Sequence, residues 1–239
     1  MVNSHRLPPK DLDAPARPCD EAARSMSTTL WTRGGKRLFD VTVALGLLVA
    51  LFPLLLLAGV LIKLTSRGRV LFVQPRAGRR GAIFQLPKLR SMRGGRTPDP
   101  NELVPLDHPE ITPLGWWLRR LKIDELPQLL CVLKGEMSLV GPRPTLPDQV
   151  AAYDDFRRQR LLARPGITGL AQVNGSTALS WDERILFDIA YVRRCGFWMD
   201  LGILLRTVWV ILAGESRTTR RFATTRYARL VTPPPDYGA

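Results

Sequence analysis

Asp124 and Glu125 are adjacent carboxylates in a stretch crowded with cations. The run from Leu118 to Pro144, LRRLKIDELPQLLCVLKGEMSLVGPRP, puts Arg119, Arg120 and Lys122 just ahead of the pair and ends with Arg143 between two prolines. Nearby positive charge holds an acid ionised and draws in anions, so such a carboxylate suits a nucleophile or a metal ligand acting on phosphate. Pro144 keeps Arg143 extended, and a guanidinium preset in this way loses less freedom on making a bidentate phosphate contact. A structural reading stands beside this one: Asp124 at a helix start, with Pro127 in the first turn, can simply be an N-cap. The two are compatible, because a helix N-terminus stabilises both a carboxylate and a bound phosphate.

Three further charged positions extend the set. In VLFVQPRAGRRGAIFQLPKLRSM, two short strands flank a basic glycine turn, and Lys88 and Arg90, two residues apart, share one strand face. Lysine also decorates solvated sheet edges. In WDERILFDIAYVRRC, Trp181, Ile185, Ile189 and Val192 line one helical face, and Asp188 lies only about 20° from Trp181 at 100° per residue. An acid on that apolar edge needs an arginine partner or belongs to a site, because burying it unpaired is costly.

The elements that must carry these residues are coarse but readable. Residues 1–33 contain prolines and scattered charge without an apolar period, which predicts a flexible arm. Val41 to Ile62 is 22 residues without a charge, long enough to span a bilayer. Its flanks are basic on both sides, and Pro53 sits near its middle, where a missing N–H and a clash with the preceding turn favour a break. The arm ahead of Pro53 is about 12 residues, about 18 Å, and reaches only partway into a bilayer. A re-entrant helix-break-helix over 34–66 is therefore favoured over a spanning helix, although proline also occurs in spanning helices. Residues 93–113, with five prolines, form a loop; Leu114, Trp117, Leu118 and Leu121 predict an amphipathic helix. A charged helix, then a glycine-rich turn and strand, follow up to Gly175. FWMDLGILLRTVWVILA, interrupted by Asp200 and Arg206, suits a helix at an interface or in the core, and the tail from 217 reads as a basic, proline-rich solvated arm.

Composition sets outer bounds. The chain has 239 residues, 45% of them hydrophobic, enough for a real core; 35 Lys and Arg against 21 Asp and Glu leave +14, so its partners are anionic. Cys19, Cys131 and Cys195 lack metal-ligand spacing and His5 and His108 lie far apart, which argues against a zinc site or a disulfide framework. No zinc, RNP-like or phosphate-loop motif supports a nucleic-acid partner.

Taken in order, KRLFD before a proline-containing apolar segment, PKLRSM, the DELPQL-to-GPRP block, RPGITGLAQVNG and FDIAYVRRCGFWMDLGIL resemble the bacterial sugar transferase family of monotopic polyprenyl-phosphate phosphoglycosyl transferases, over about residues 35–214. The resemblance implies an α+β, mainly helical protein with a re-entrant membrane helix and a catalytic domain over 67–216 on the cytoplasmic face of the bacterial inner membrane, in the family's minimal form. It implies transfer of a sugar-1-phosphate from a UDP-sugar to undecaprenyl phosphate with Mg²⁺ and release of UMP, serving exopolysaccharide, capsule, O-antigen or glycoconjugate synthesis. Asp124 is then the nucleophile that forms a phosphosugar intermediate, and Glu125 the second acid; both are also the metal candidates. Arg119, Arg143, Lys88 and Arg90 become phosphate ligands, and Asp188 completes the polar site. Membrane lipid is an expected partner, and a homodimer is an admissible assembly. Two departures stand out: Phe52 replaces the serine common ahead of Pro53, and Pro87 precedes Lys88 where a tyrosine is common. The competing class is a basic, non-enzymatic scaffold on the membrane surface, which would leave the Asp-Glu pair without a purpose.

Overall fold

The computed structural model describes residues 31–93, 108–213, 219–235 and 237. The loop expected over 93–113 therefore falls mostly outside the described residues, as does nearly all of the arm over 1–33. At Trp31 the chain is anchored: its ring packs against Phe39 and Phe197, and its indole N–H donates to Asp200 at 3.0 Å.

Helix α1, Lys36–Thr65, is one continuous helix of about 45 Å with Pro53 inside it. Helical conformation thus continues through the position where a break was expected. Its buried residues are Asp40, Ala44, Ala58 and Ile62. Asp40 and Ala58, like Ala44 and Ile62, are eighteen positions apart, about five full turns, so all four lie on one face. That face packs on the rest of the protein at both ends. Near its start, Lys36 bridges to Asp200 at 2.8 Å, Arg37 donates to the carbonyls of Val132 and Leu133, and the Asp40 carboxylate accepts the Leu139 N–H at 3.1 Å. Near its end, Ala58 and Ile62 pack with Leu89 and Leu118. Between and around these contacts Leu45, Val49, Phe52, Leu56, Leu57 and Leu64 stand exposed.

Strands β1, Leu71–Ala77, and β2, Ile83–Leu89, form the expected antiparallel hairpin, with Leu71 opposite Leu89 and Ala77 opposite Ile83. Helix α2, Pro113–Arg120, starts at Thr112, whose hydroxyl accepts the Gly115 N–H. Gly115 is required there by close approach, since a Cβ would lie 1.9 Å from the Ser91 carbonyl oxygen. A 3₁₀ turn, Ile123–Gln128, leads into helix α3, Leu129–Lys134, and strand β3, Ser138–Val140. Short helices α4, Pro147–Ala151, and α5, Asp155–Arg158, precede strand β4, Gly166–Thr168, which pairs parallel to β3. The strand expected up to Gly175 is thus only three residues long; a 3₁₀ turn over Gln172–Asn174 takes the rest.

Helix α6, Trp181–Arg194, opens with a Ser180/Glu183 capping box and supplies much of the core through Ile185, Phe187, Ile189 and Tyr191. Helix α7, Phe197–Ala213, buries Asp200, Ile203 and Val210 but exposes Trp198, Leu205, Val208, Trp209 and Leu212. The tail is not the solvated arm that its composition suggested. Phe222 and Val231 enter the core, Glu183 accepts the Phe222 N–H, and Arg193 donates to the Leu230 carbonyl. A few buried apolar side chains and two hydrogen bonds from α6 override the local preference for solvent. The architecture is mainly helical with short strands, and α1 is long and apolar enough to associate with a membrane.

Candidate active site

The Asp-Glu pair lies in the 3₁₀ turn between α2 and α3. Lys122 adopts a left-handed conformation (φ 57°) at the start of that turn, and no side chain caps it, so Asp124 is not an N-cap. Both acids are 6% exposed, yet their surroundings differ. Glu125 Oε1 accepts from Lys88 Nζ and from the Arg143 guanidinium, each at 2.8 Å. Burial works against its charge, but Arg143 and Lys88 outweigh it and hold the Glu125 carboxyl well below the usual range. The Asp124 carboxylate makes no hydrogen bond among the described residues. Burial, with Glu125 alongside, pushes its pKa up, against the pull of Lys88, Lys122 and Arg119. The basic field was expected to favour ionisation of both acids; at Asp124 desolvation outweighs it.

The remaining expected residues are distributed unequally. Arg119 donates from Nε to the Ser91 hydroxyl at 2.9 Å and touches Met92 Sδ, while lying close enough to both acids to feel their charge. Arg143 stays half exposed, so it can hold Glu125 and still face a ligand. Arg90 goes elsewhere: its guanidinium donates to the Ser66 carbonyl and hydroxyl and to the Arg67 carbonyl, tying down the C-terminal end of α1. Lys88 and Arg90 therefore do not act on one face, because the strand ends at Leu89 between them. Asp188 is buried against Arg160, whose guanidinium also donates to the Arg143 carbonyl at 3.1 Å and to the Tyr153 hydroxyl at 2.7 Å. Asp188 touches the site through Arg160, as the anchor of a brace behind Arg143, and also feels the charge of Arg143.

Two contributors were missed in the sequence. Arg76, on β1, donates to the Gln74 side chain and reaches the Pro144 carbonyl; burial and the neighbouring Arg143 lower its pKa to about 10, while Glu125 acts in the opposite sense. Its alternation with Gln74 was the only available signal. Arg160 gave none, being one arginine among many in a charged run.

The residues fit a Mg²⁺ ion in part. Glu125 Oε2 and the Asp124 oxygens take no hydrogen bond among the described residues, and Mg²⁺ is ordinarily held by one or two carboxylates with substrate phosphates and water. No cluster of three or more His, Cys, Asp or Glu able to hold an ion lies among the described residues, so substrate oxygens would have to complete the set.

Comparison with known proteins identifies the family. The family described as bacterial sugar transferase matches residues 31–214. The chain is 43% identical over 180 residues to the uncharacterized sugar transferase EpsL of Bacillus subtilis, covering 75% of this chain and 88% of that protein. It is 47% identical over 195 residues to a UDP-glucose:undecaprenyl-phosphate glucose-1-phosphate transferase of Caulobacter vibrioides, covering 76% and 71%. It is 43% identical over 192 residues to an undecaprenyl-phosphate glucose phosphotransferase of Komagataeibacter xylinus, of which it spans only 36%. By the extent of these matches, the chain belongs to the bacterial sugar transferase family.

Proposed function

We propose that this protein transfers a sugar-1-phosphate from a UDP-sugar to undecaprenyl phosphate through a phosphosugar ester on Asp124, at the cytoplasmic face of the bacterial inner membrane. The observation that carries this reading is the division of labour within the acid pair: Glu125 is clamped by two cations, whereas the buried Asp124 carboxylate accepts no hydrogen bond among the described residues and feels Lys88, Lys122 and Arg119 only through their charge. A raised pKa makes a carboxylate a better nucleophile, provided it is ionised at working pH.

In the first displacement an Asp124 oxygen attacks the sugar-bearing phosphorus. A new O–P bond forms, the bond from that phosphorus to the bridging oxygen breaks, and UMP departs with the bridging oxygen. In the second, a phosphate oxygen of undecaprenyl phosphate attacks the same phosphorus and Asp124 leaves as a carboxylate. Arg143, Lys88 and Arg119 stand where charge builds on the phosphoryl oxygens, and fixed cations in a largely dry site act without reorganising. Glu125 and Asp124 are the residues that would hold Mg²⁺, which would supply charge neutralisation when bound.

The membrane reading rests on α1 and α7. Residues near both ends of α1 pack on the folded chain, which supports both ends lying on one side of a bilayer of about 30 Å. The exposed apolar residues of α1 and α7 then enter a single leaflet, which brings the lipid phosphate to the site at headgroup depth. Single cysteines introduced at positions 31 and 67 should react with a membrane-impermeant reagent from the same side; labelling from opposite sides would mean that α1 spans.

The activity is tested by UMP release from detergent-purified protein given undecaprenyl phosphate, Mg²⁺ and a panel of UDP-sugars. Release that requires both lipid and one sugar supports the transfer; binding to anionic vesicles with no turnover across the panel would favour the scaffold. A pH profile tests the site itself. Asp124 works ionised and its pKa is raised, so kcat/KM should fall as pH drops through a limb lying above the ordinary aspartate value of about 3.9. Lys88 holds that pKa down, so Lys88→Met should move the limb to higher pH; an unmoved limb would detach it from Asp124.

A further inference from the structure

A second basic concavity lies away from the acid pair, where the tail folds back onto α7. Arg206 of α7, Asn174, and Arg220, Thr225, Arg226 and Tyr227 of the tail surround a cavity of about 350 Å³. The tail residues lie past residue 214, where the family match ends, so this cavity is built largely by sequence outside the shared domain. None of the three arginines pairs with a carboxylate among the described residues. Arg206 is held in place by donating to the Val173 carbonyl and the Asn174 side-chain oxygen, both at 3.2 Å, and the Arg220 N–H donates to the Asn174 carbonyl at 2.8 Å. Arg226 lies against the Tyr227 ring and donates to its hydroxyl. Burial, then the charge of Arg220 and Arg226, lowers the Arg206 pKa. The three arginines line one cavity, and the repulsion that Arg206 feels from the other two is one that a bound anion would relieve.

Position supports a membrane-level ligand. On α7, Trp198, Leu205, Trp209 and Leu212 form one exposed stripe, and Arg206 lies about 60–120° round the helix from its members, between the stripe and the buried Ile203 and Val210. If that stripe enters lipid, Arg206 sits at headgroup depth, where long cationic side chains place their charge.

We propose that Arg206, Arg220 and Arg226 form an accessory binding site for a phosphate or diphosphate group, separate from the Asp124 site. The ligand chemistry is a phosphoryl anion read by guanidiniums, supplied either by an anionic lipid headgroup or by a soluble phosphate.

The test uses the full chain in phosphatidylcholine nanodiscs, titrated calorimetrically with inorganic pyrophosphate. The wild type should show a binding event that weakens at least tenfold in Arg206→Gln/Arg220→Gln/Arg226→Gln and survives in Arg143→Gln. Thr224→Asp, an exposed substitution that puts a countercharge at the cavity, should weaken the same event with the fold intact, which covers the case of a misfolded triple variant. Replacing part of the phosphatidylcholine with phosphatidylglycerol separates the sources: competition with pyrophosphate assigns the site to lipid headgroups, and no competition assigns it to soluble phosphates. Pyrophosphate affinity unchanged in the triple variant and in Thr224→Asp would overturn the proposal. Because the readout is binding, it stands or falls independently of UMP release.

Discussion

Asp124→Asn should leave a folded, membrane-associated protein with turnover reduced by at least about 10⁴-fold, equivalent to about 5.4 kcal/mol at about 1.36 kcal/mol per decade. An amide of the same shape cannot attack phosphorus, and the neighbouring carboxylate cannot readily replace it, since Glu125 is held by Lys88 and Arg143. Little stability should be lost, because the Asp124 carboxylate gives up no hydrogen bond among the described residues and its ionised form is disfavoured by burial. Mass spectrometry supplies the decisive comparison. With UDP-sugar and no lipid acceptor, the wild type should gain the mass of a phosphosugar, and the variant should not. Turnover within tenfold of wild type would move the nucleophile elsewhere.

Asp188→Leu should be the most destabilising single substitution among the site residues. Asp188 is 1% and Arg160 3% exposed, and removing one member of a buried pair typically costs about 3–5 kcal/mol because the other is stranded. At about 2–4 °C per kcal/mol for a chain of this size, Tm should fall by about 6–20 °C. Arg160→Met/Asp188→Leu removes both charges and should recover much of that loss, since apolar replacement of a buried pair is often tolerated. Its kcat/KM should nevertheless stay at least about tenfold down, because Arg160 no longer holds the Arg143 carbonyl. Full recovery of both stability and activity would reduce the brace to a packing feature. Burial pushes the Asp188 carboxyl up to about 6, against the pull of Arg160. A folded pKa above the unfolded value favours folding while the acid is protonated, and that contribution is lost as pH rises from about 4 through about 6. Asp188→Leu should flatten that part of the stability profile.

Much of the site was legible because its chemistry is local in sequence. Asp124, Glu125 and Arg143 lie on one short stretch, and the prolines around Arg143 restrict the backbone whatever surrounds it. Lys88 was legible through strand alternation. The same alternation failed for Arg90, one residue past the strand end, where the open carbonyls at the C-terminal end of α1 offered a better partner. The N-cap reading of Asp124 failed because a left-handed Lys122 starts a 3₁₀ turn in its place. Proline-rich composition misled for the tail, since Phe222 and Val231 suffice to dock it.

The sequence by itself determined the acid pair, the cationic field around it, the hairpin, the amphipathic α2 and the long apolar α1, because propensity, charge and periodicity are properties of neighbours along the chain. Only the tertiary structure decided which acid is clamped and which accepts no hydrogen bond among the described residues, that Arg160 stands between Asp188 and Arg143, that Arg76 joins the site, and that both ends of α1 pack on the folded chain. Each of these depends on residues far apart in sequence meeting across a core, where burial and the sign of the nearest charge set the outcome.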